Sequence, residues 1–343
     1  MRLLGLLFLA LSSNPALSLV PTPAVPGIQD LVNSGVVQIW TRSPTYKERR
    51  SDGYQEPEEV YVVGTSHVSR QSAADVTRVI EAVQPQSVVV ELCKSRLSLL
   101  SELPEGANGE SLLGLSGDSF ATAFLQQLQS GGGVVLLLRF LLAKAAGAGA
   151  GAGERPGADF RAAAAGADAL DIELVLGDRP LEITLKRTWS SLTWQEKAKL
   201  MLGLWGVLSG SSGGSEVEGS SGLAAAVKKG RLDGDAVDGL IEALGEELPS
   251  AVGPLLTERD RYLAWSLKRS RAVGGKKRVV GVIGRGHMSG VLSEMRKDGG
   301  GDKLAFQQLV KVDREPALTA GLRVVVEIVF WWEAWRVCVD GHI

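Results

Sequence analysis

The chain has 343 residues, 45% of them apolar and 22% charged, enough to bury the core of one large domain or two small ones. Its 37 basic and 39 acidic residues leave a net charge of −2, which excludes the chain-wide basic field of a nucleic-acid binder. Two cysteines, Cys93 and Cys338, exclude a disulfide framework and a four-cysteine zinc site, and strong apolar runs exclude a wholly disordered chain despite 42 glycines.

The first twenty residues run from Met1-Arg2 through an apolar stretch, Leu3–Leu11, to small residues around Ala16 and Ser18. One positive charge, a short apolar region and a small-residue cleavage pattern read as a signal-like leader. Pro21, Pro23 and Pro26 extend this into a linker, so 1–26 stand outside the fold. Such a leader points to the secretory route or to an organelle; it is too poor in Arg and Ser for a plain mitochondrial presequence.

The domain itself is expected over 55–300. Glu59–Val63 reads as a strand ended by Gly64, and a helix follows over Ser69–Val83 with Val76, Val79, Ile80 and Val83 on one stripe. Pro85 breaks that helix, and Ser87–Leu92 reads as a fully buried strand. The result is a βαβ pattern, which implies an α/β fold with a mostly parallel sheet and flanking helices. Residues 133–146 are apolar but carry Arg139 and Lys144, as a buried or interfacial helix does. Two Gly-rich tracts, 145–158 and 209–222, read as flexible insertions. Ile172–Leu176 is a further strand; Trp194–Val207, Ala236–Leu248 and Gly253–Arg271 are helices; Arg278–Ile283 is the last strand, feeding a helix from Met288.

The C-terminal segment, 301–343, is apolar, Trp-rich and helical in pattern. Within it, 317–339 carries Arg323, Glu327, Glu333 and Arg336, too many charges for a membrane span. It reads as a core helix or as an amphipathic helix in peripheral contact with a membrane, with Phe330, Trp331, Trp332 and Trp335 at the interface.

Sites in parallel sheets form beyond the carboxyl ends of strands. Of three histidines, two follow strands in the same local pattern, Gly64-Thr65-Ser66-His67 and Gly284-Arg285-Gly286-His287. Glycine permits the tight turn that lets an imidazole point back over the sheet edge. Glu91, at the end of SVVVEL, supplies a carboxylate at that edge. His67, His287 and Glu91 are therefore candidate ligands of a divalent transition metal (manganese, cobalt or zinc), the chemistry of metal-assisted hydrolysis. Glu91 serves equally well as general base. The competing account makes all three structural, with Glu91 paired to Arg96. Gly281–Gly290 falls one residue short of a dinucleotide fingerprint, and neither a G-x-S-x-G elbow nor a Walker-type loop occurs. Cys93 reads as a core thiol and Lys276-Lys277-Arg278 as a solvated loop.

In order along the chain, VYVVGTSHVS (60–69), QPQSVVVELCKSR (84–96), a weaker DFRAA (159–163), LGDRPLEITLKRTW (176–189), LTERDRYLAWSL (256–267) and VVGVIGRGHMSGV (279–291) resemble the TraB family, the TraB/PrgY/GumN group that includes the Tiki proteins. The resemblance implies an α/β fold related to erythromycin-esterase and ChaN-like proteins. It implies a metal-dependent peptidase in which the two G-x-x-H histidines and a glutamate act, here His67, His287 and Glu91. Arg96 and Arg179 match positions suited to holding a substrate carboxylate or oxyanion. Asp178, Glu258 and Arg259, with Arg161 as a looser match, look like groups that support the ligands or orient substrate. In the block around Arg161, Asp159 replaces the usual Glu. GDRP and ERD resemble the eukaryotic TraB-domain subgroup, which is associated with organelle membranes, the mitochondrial outer membrane or a plastid.

Two functions follow as expectations. One is a metal-dependent hydrolase of peptide or protein substrates. The other is an organelle-membrane adaptor or regulator that keeps the fold without catalysis and works through 317–343 and the apolar stretch 133–146.

Overall fold

The computed structural model describes residues 25–44, 46, 54–67, 69–100, 157–197, 199, 248–297 and 306–312. The expected leader up to residue 24, the apolar stretch 133–146, the Gly-rich tracts 145–156 and 209–222, the helix over 236–247 and the Trp-rich 317–339 lie outside the described residues. Among the described residues no helix is long and apolar enough to cross a membrane.

Among the described residues, five strands form one mixed sheet: β1 (Val37–Thr41), β2 (Glu59–Thr65), β3 (Ser87–Val90), β4 (Glu173–Leu176) and β5 (Arg278–Gly284), in the spatial order β1-β2-β5-β3-β4. All pairings are parallel except that of the edge strand β1 with β2. β5, last in sequence, is central in the sheet. Its register sets Thr65 opposite Gly284 and Val90 opposite Val282, so the carboxyl ends of β2, β5 and β3 lie side by side.

Period-2 alternation divides the core into two layers. Tyr61, Val63, Val88, Val90, Val280 and Val282 face α2 (Arg70–Val83) and α3 (Ala158–Ala169). The expected stripe of α2 is buried here, against Phe160, Ala163 and Ala167 of α3. Val60, Val62, Val89, Val279 and Ile283 face the other layer, made by Leu263, Ala264 and Leu267 and by Val291, Leu292 and Met295. These belong to the helices Glu258–Arg269 and Arg285–Lys297, labelled α5 and α6; α4 is Leu181–Ser191. Gly281 lets α5 lie close on β5, since a Cβ there would fall 2.6 Å from Leu267.

Local chemistry sets the boundaries. Ser69 caps α2 by accepting from the Ser72 amide. Gln84 ends the helix in the left-handed conformation, its side chain donating back to the Glu81 carbonyl. A helical turn begins at Trp194 behind a reciprocal cap, in which Glu196 accepts from the Thr193 amide and Thr193 accepts from the Glu196 amide.

Three boundaries differ from expectation. β2 continues to Thr65 through Gly64. The helix expected over 253–271 opens as a π-helical turn, Gly253–Thr257, whose Glu258 amide reaches back to the Gly253 carbonyl before α5 proper begins. β5 passes straight into α6 at Arg285, so His287 sits in the first helical turn rather than in a loop. The short edge strand β1 and the helices α3 and α4 are additional to the elements read from pattern.

Candidate functional site

Glu91 is the first residue beyond β3 and is buried. Its Oε2 accepts from the Gly284 amide at 2.7 Å and its Oε1 from Arg259 Nη2 at 2.5 Å. His287 Nε2 lies 3.4 Å from Oε1, and His67 Nε2 lies 4.0 Å from Oε2. Burial favours the neutral acid, but His287, Arg259, His67 and Arg96 outweigh it and hold the carboxyl far below the usual range. Gly284 is needed at this spot: a Cβ would stand 3.1 Å from His67 Nε2 and 3.3 Å from Glu91 Oε2. The strand ends thus leave a small space between the two side chains.

Both imidazoles are held from behind by an aspartate. His67 Nδ1 lies 2.9 Å from Asp159 Oδ2, which also accepts from Thr65 Oγ1 at 2.6 Å. His287 Nδ1 lies 2.6 Å from Asp260 Oδ1. A carboxylate at Nδ1 fixes the neutral tautomer with its proton there and leaves the Nε2 lone pair directed toward Glu91. Burial pushes the His67 and His287 pKa values down; the neighbouring carboxylates raise them further, and both end above the ordinary value. α6 can approach Asp260 because residue 290 is glycine, where a Cβ would fall 2.0 Å from Asp260 Oδ2. His67 is 32% exposed and lies against the Phe160 ring, whereas His287 is 4% exposed.

Two guanidiniums complete the cluster around Asp178. Arg259 donates to Asp178 through Nε and Nη2, at 3.2 and 3.1 Å, and its Nη1 is 3.1 Å from His287 Nε2. Arg96 pairs with Asp178 and donates to the main-chain carbonyl of Glu91, so the side-chain Arg96–Glu91 pairing expected of a structural glutamate is replaced by Arg259. The reason is reach: Arg96 lies in the 3-10 turn beyond β3, beside the Glu91 main chain, while Arg259 projects from the first turn of α5 to the Glu91 carboxylate.

Six of the sequence-derived residues therefore meet: His67, His287, Glu91, Arg96, Asp178 and Arg259. Three do not. Arg179 is fully buried and its guanidinium goes to Glu258, Thr184 Oγ1 and the carbonyls of Pro254 and Leu309. That burial makes Arg179 a strut between helices, not a group able to touch substrate as its motif position implies. Glu258 is shared between Arg179 and Arg187. Arg161 donates to the Leu99 carbonyl and ties α3 to the turn after β3. Conversely, Asp260 stood unassigned in ERD and Asp159 was noted only as a replacement for Glu. The available signal was an acid beside an already chosen motif residue.

With neutral imidazoles, the connected side chains carry four carboxylates (Glu91, Asp159, Asp178, Asp260) against two guanidiniums (Arg96, Arg259), a local charge of −2. One divalent cation balances it. The 3.4 Å between His287 Nε2 and Glu91 Oε1 matches the roughly 3.3 Å expected of two ligands on one tetrahedral ion. The donor set thus suits a metal, although among the described residues no three His, Cys, Asp or Glu side chains converge tightly enough to hold one as they stand.

The TraB/PrgY/gumN family model matches residues 52–300. TraB domain-containing proteins of mouse and human are each 30% identical over 288 residues, covering 79% of this chain and 70% of theirs. An uncharacterized protein of Methanocaldococcus jannaschii is 26% identical over 282 residues, covering 79% of this chain and 63% of its own length. The chain belongs to the TraB/PrgY/gumN family.

Proposed function

We propose that this chain is a metal-dependent hydrolase of peptide-like substrates, with His67, His287 and Glu91 as the ligand set. The observation that carries the reading is the paired geometry. Two imidazoles, each anchored at Nδ1 by an aspartate, direct Nε2 at one buried glutamate where three parallel strands end. A bound manganese, cobalt or zinc ion would lower the pKa of water and polarise a carbonyl.

The protein's own groups supply the rest. Asp159 and Asp260 fix the ring orientations and raise the basicity of Nε2. Glu91 acts as third ligand or takes the proton of the attacking water. Access is from the His67 side, where Arg96, 24% exposed, is placed to hold a substrate carboxylate or the developing oxyanion. Arg179 and Glu258 keep α4 and the π-turn in place behind Arg259.

The test is metal content of the purified protein beside its His67→Ala/His287→Ala double variant, followed by a peptide-cleavage screen of the loaded protein. The proposal predicts about one transition-metal ion per chain, lost in the double variant. No metal in either protein after incubation with manganese, cobalt and zinc salts overturns it.

A further inference from the structure

Building on the metal-site reading above, we infer that Arg259 is an internal cation that competes with the metal: its guanidinium bridges His287 and Glu91 and must release them before an ion is held there. Arg259 thereby sets the metal affinity of the site.

The geometry is that of a competitor. Nη2 donates to Glu91 Oε1 at 2.5 Å and Nη1 lies 3.1 Å from His287 Nε2. These are two of the atoms an ion would need, and they are 3.4 Å apart. Because His287 Nδ1 faces Asp260, the only lone pair the ring offers is at Nε2, and Arg259 engages it. A guanidinium and a divalent ion cannot share one lone pair, and their like charges repel strongly at short range where water is excluded.

Arg259 has somewhere to stay. Asp178 faces it from the opposite side and holds both Nε and Nη2. Release of Glu91 and His287 therefore leaves the guanidinium paired, so the exchange does not strand a buried charge. Asp178 is itself fixed by Arg96 and by the Arg179 amide, so it is a stable mooring.

The test is direct metal binding, read without activity. The full chain, stripped with a chelator, is titrated with Co2+ and followed by its visible absorption and by equilibrium dialysis, for the wild type, Arg259→Gln and Arg259→Lys. Arg259→Gln is expected to bind about tenfold tighter than the wild type. Arg259→Lys, which cannot bridge two acceptors in one plane, is expected to fall between them. Tighter binding that disappears when His287→Ala is added supports the inference. Arg259→Gln binding equal to or weaker than wild type overturns it while leaving the metal site standing. If Arg259→Gln does not fold, Arg259→Lys decides by the same comparison. Absence of binding by every protein overturns both this inference and the metal-site reading. Binding by the variants alone, with none by the wild type, overturns the metal-dependent reading on which this inference rests.

Discussion

His67 and His287 stand beyond neighbouring strands in the same relation to Glu91, yet their surroundings differ. The His67 half lies in the turn after β2, one-third exposed, with Phe160 against its ring and, among the described residues, no cation on its Nε2. The His287 half lies inside a helix, almost wholly buried, with Arg259 on its Nε2. The supporting acids differ in the opposite sense. Asp159 is completely buried and its Oδ1 has no partner among the described residues, while Asp260 is partly exposed. An open ring is thus held by a closed acid, and a closed ring by an open one. The proposed function turns this difference into a division of labour, with the open half admitting substrate and the closed half controlling charge.

The most severe way to break the comparison is to remove what the halves share. Glu91→Gln keeps a single acceptor oxygen, so either Arg259 or the Gly284 amide is left facing an NH2 group, and the buried negative charge is gone; it should cost about 3 kcal/mol in chemical denaturation and abolish metal binding. Gly290→Ala should strike only the His287 half, because the new Cβ displaces Asp260. A net loss of about 1 kcal/mol is expected after the gain in helix propensity, with the His67 imidazole resonances unmoved by NMR.

Exchanging the acids sharpens the asymmetry. Asp159→Asn keeps an acceptor for His67 and Thr65 but sets an amide where Oδ1 now lacks a partner, leaving buried donors unsatisfied. Asp260→Asn can hydrate its amide. Both should weaken metal binding by roughly tenfold, with Asp159→Asn losing more thermal stability. Equal losses would refute the assignment of a closed and an open acid. The smallest effect is expected far from both halves. Glu196 is pulled from 4.5 to about 2: burial opposes the charge, but the amides of Ser250 and Thr193 favour it more. A lowered carboxylate pKa stabilises the fold above about pH 4.5, and that contribution disappears as pH falls toward 2. Glu196→Gln should cost about 1 kcal/mol at neutral pH and flatten this acid limb, leaving metal binding unchanged.

Much of the site was legible because its chemistry is local. A glycine at or near a strand end and a histidine three residues on are local in sequence, and Glu91 stands at the end of an unbroken apolar run. Position in space was not. Nothing in RVVGVIG says that it enters between β2 and β3, because strand order is a long-range property. β1 escaped notice because VQIWT is a half-buried edge strand of five residues. In α3 the run ADFRAAAAGADA resembles the Gly/Ala tract before it, which masks the face that packs on α2. Arg179 misled for a different reason: an arginine in a motif looks the same on a strut as at a catalytic rim, and only its complete burial separates the two.

The central position of β5 bears on how the protein is made. β2 and β3 leave the ribosome early, yet neither pairs with the other; the strand that joins them follows nearly two hundred residues later. Until then the nascent chain carries two apolar strands with open edges and two of the three candidate ligands, unable to close the sheet. Closure of this sheet must wait until β5 emerges, and chaperones that shield strand edges should engage the chain during that interval.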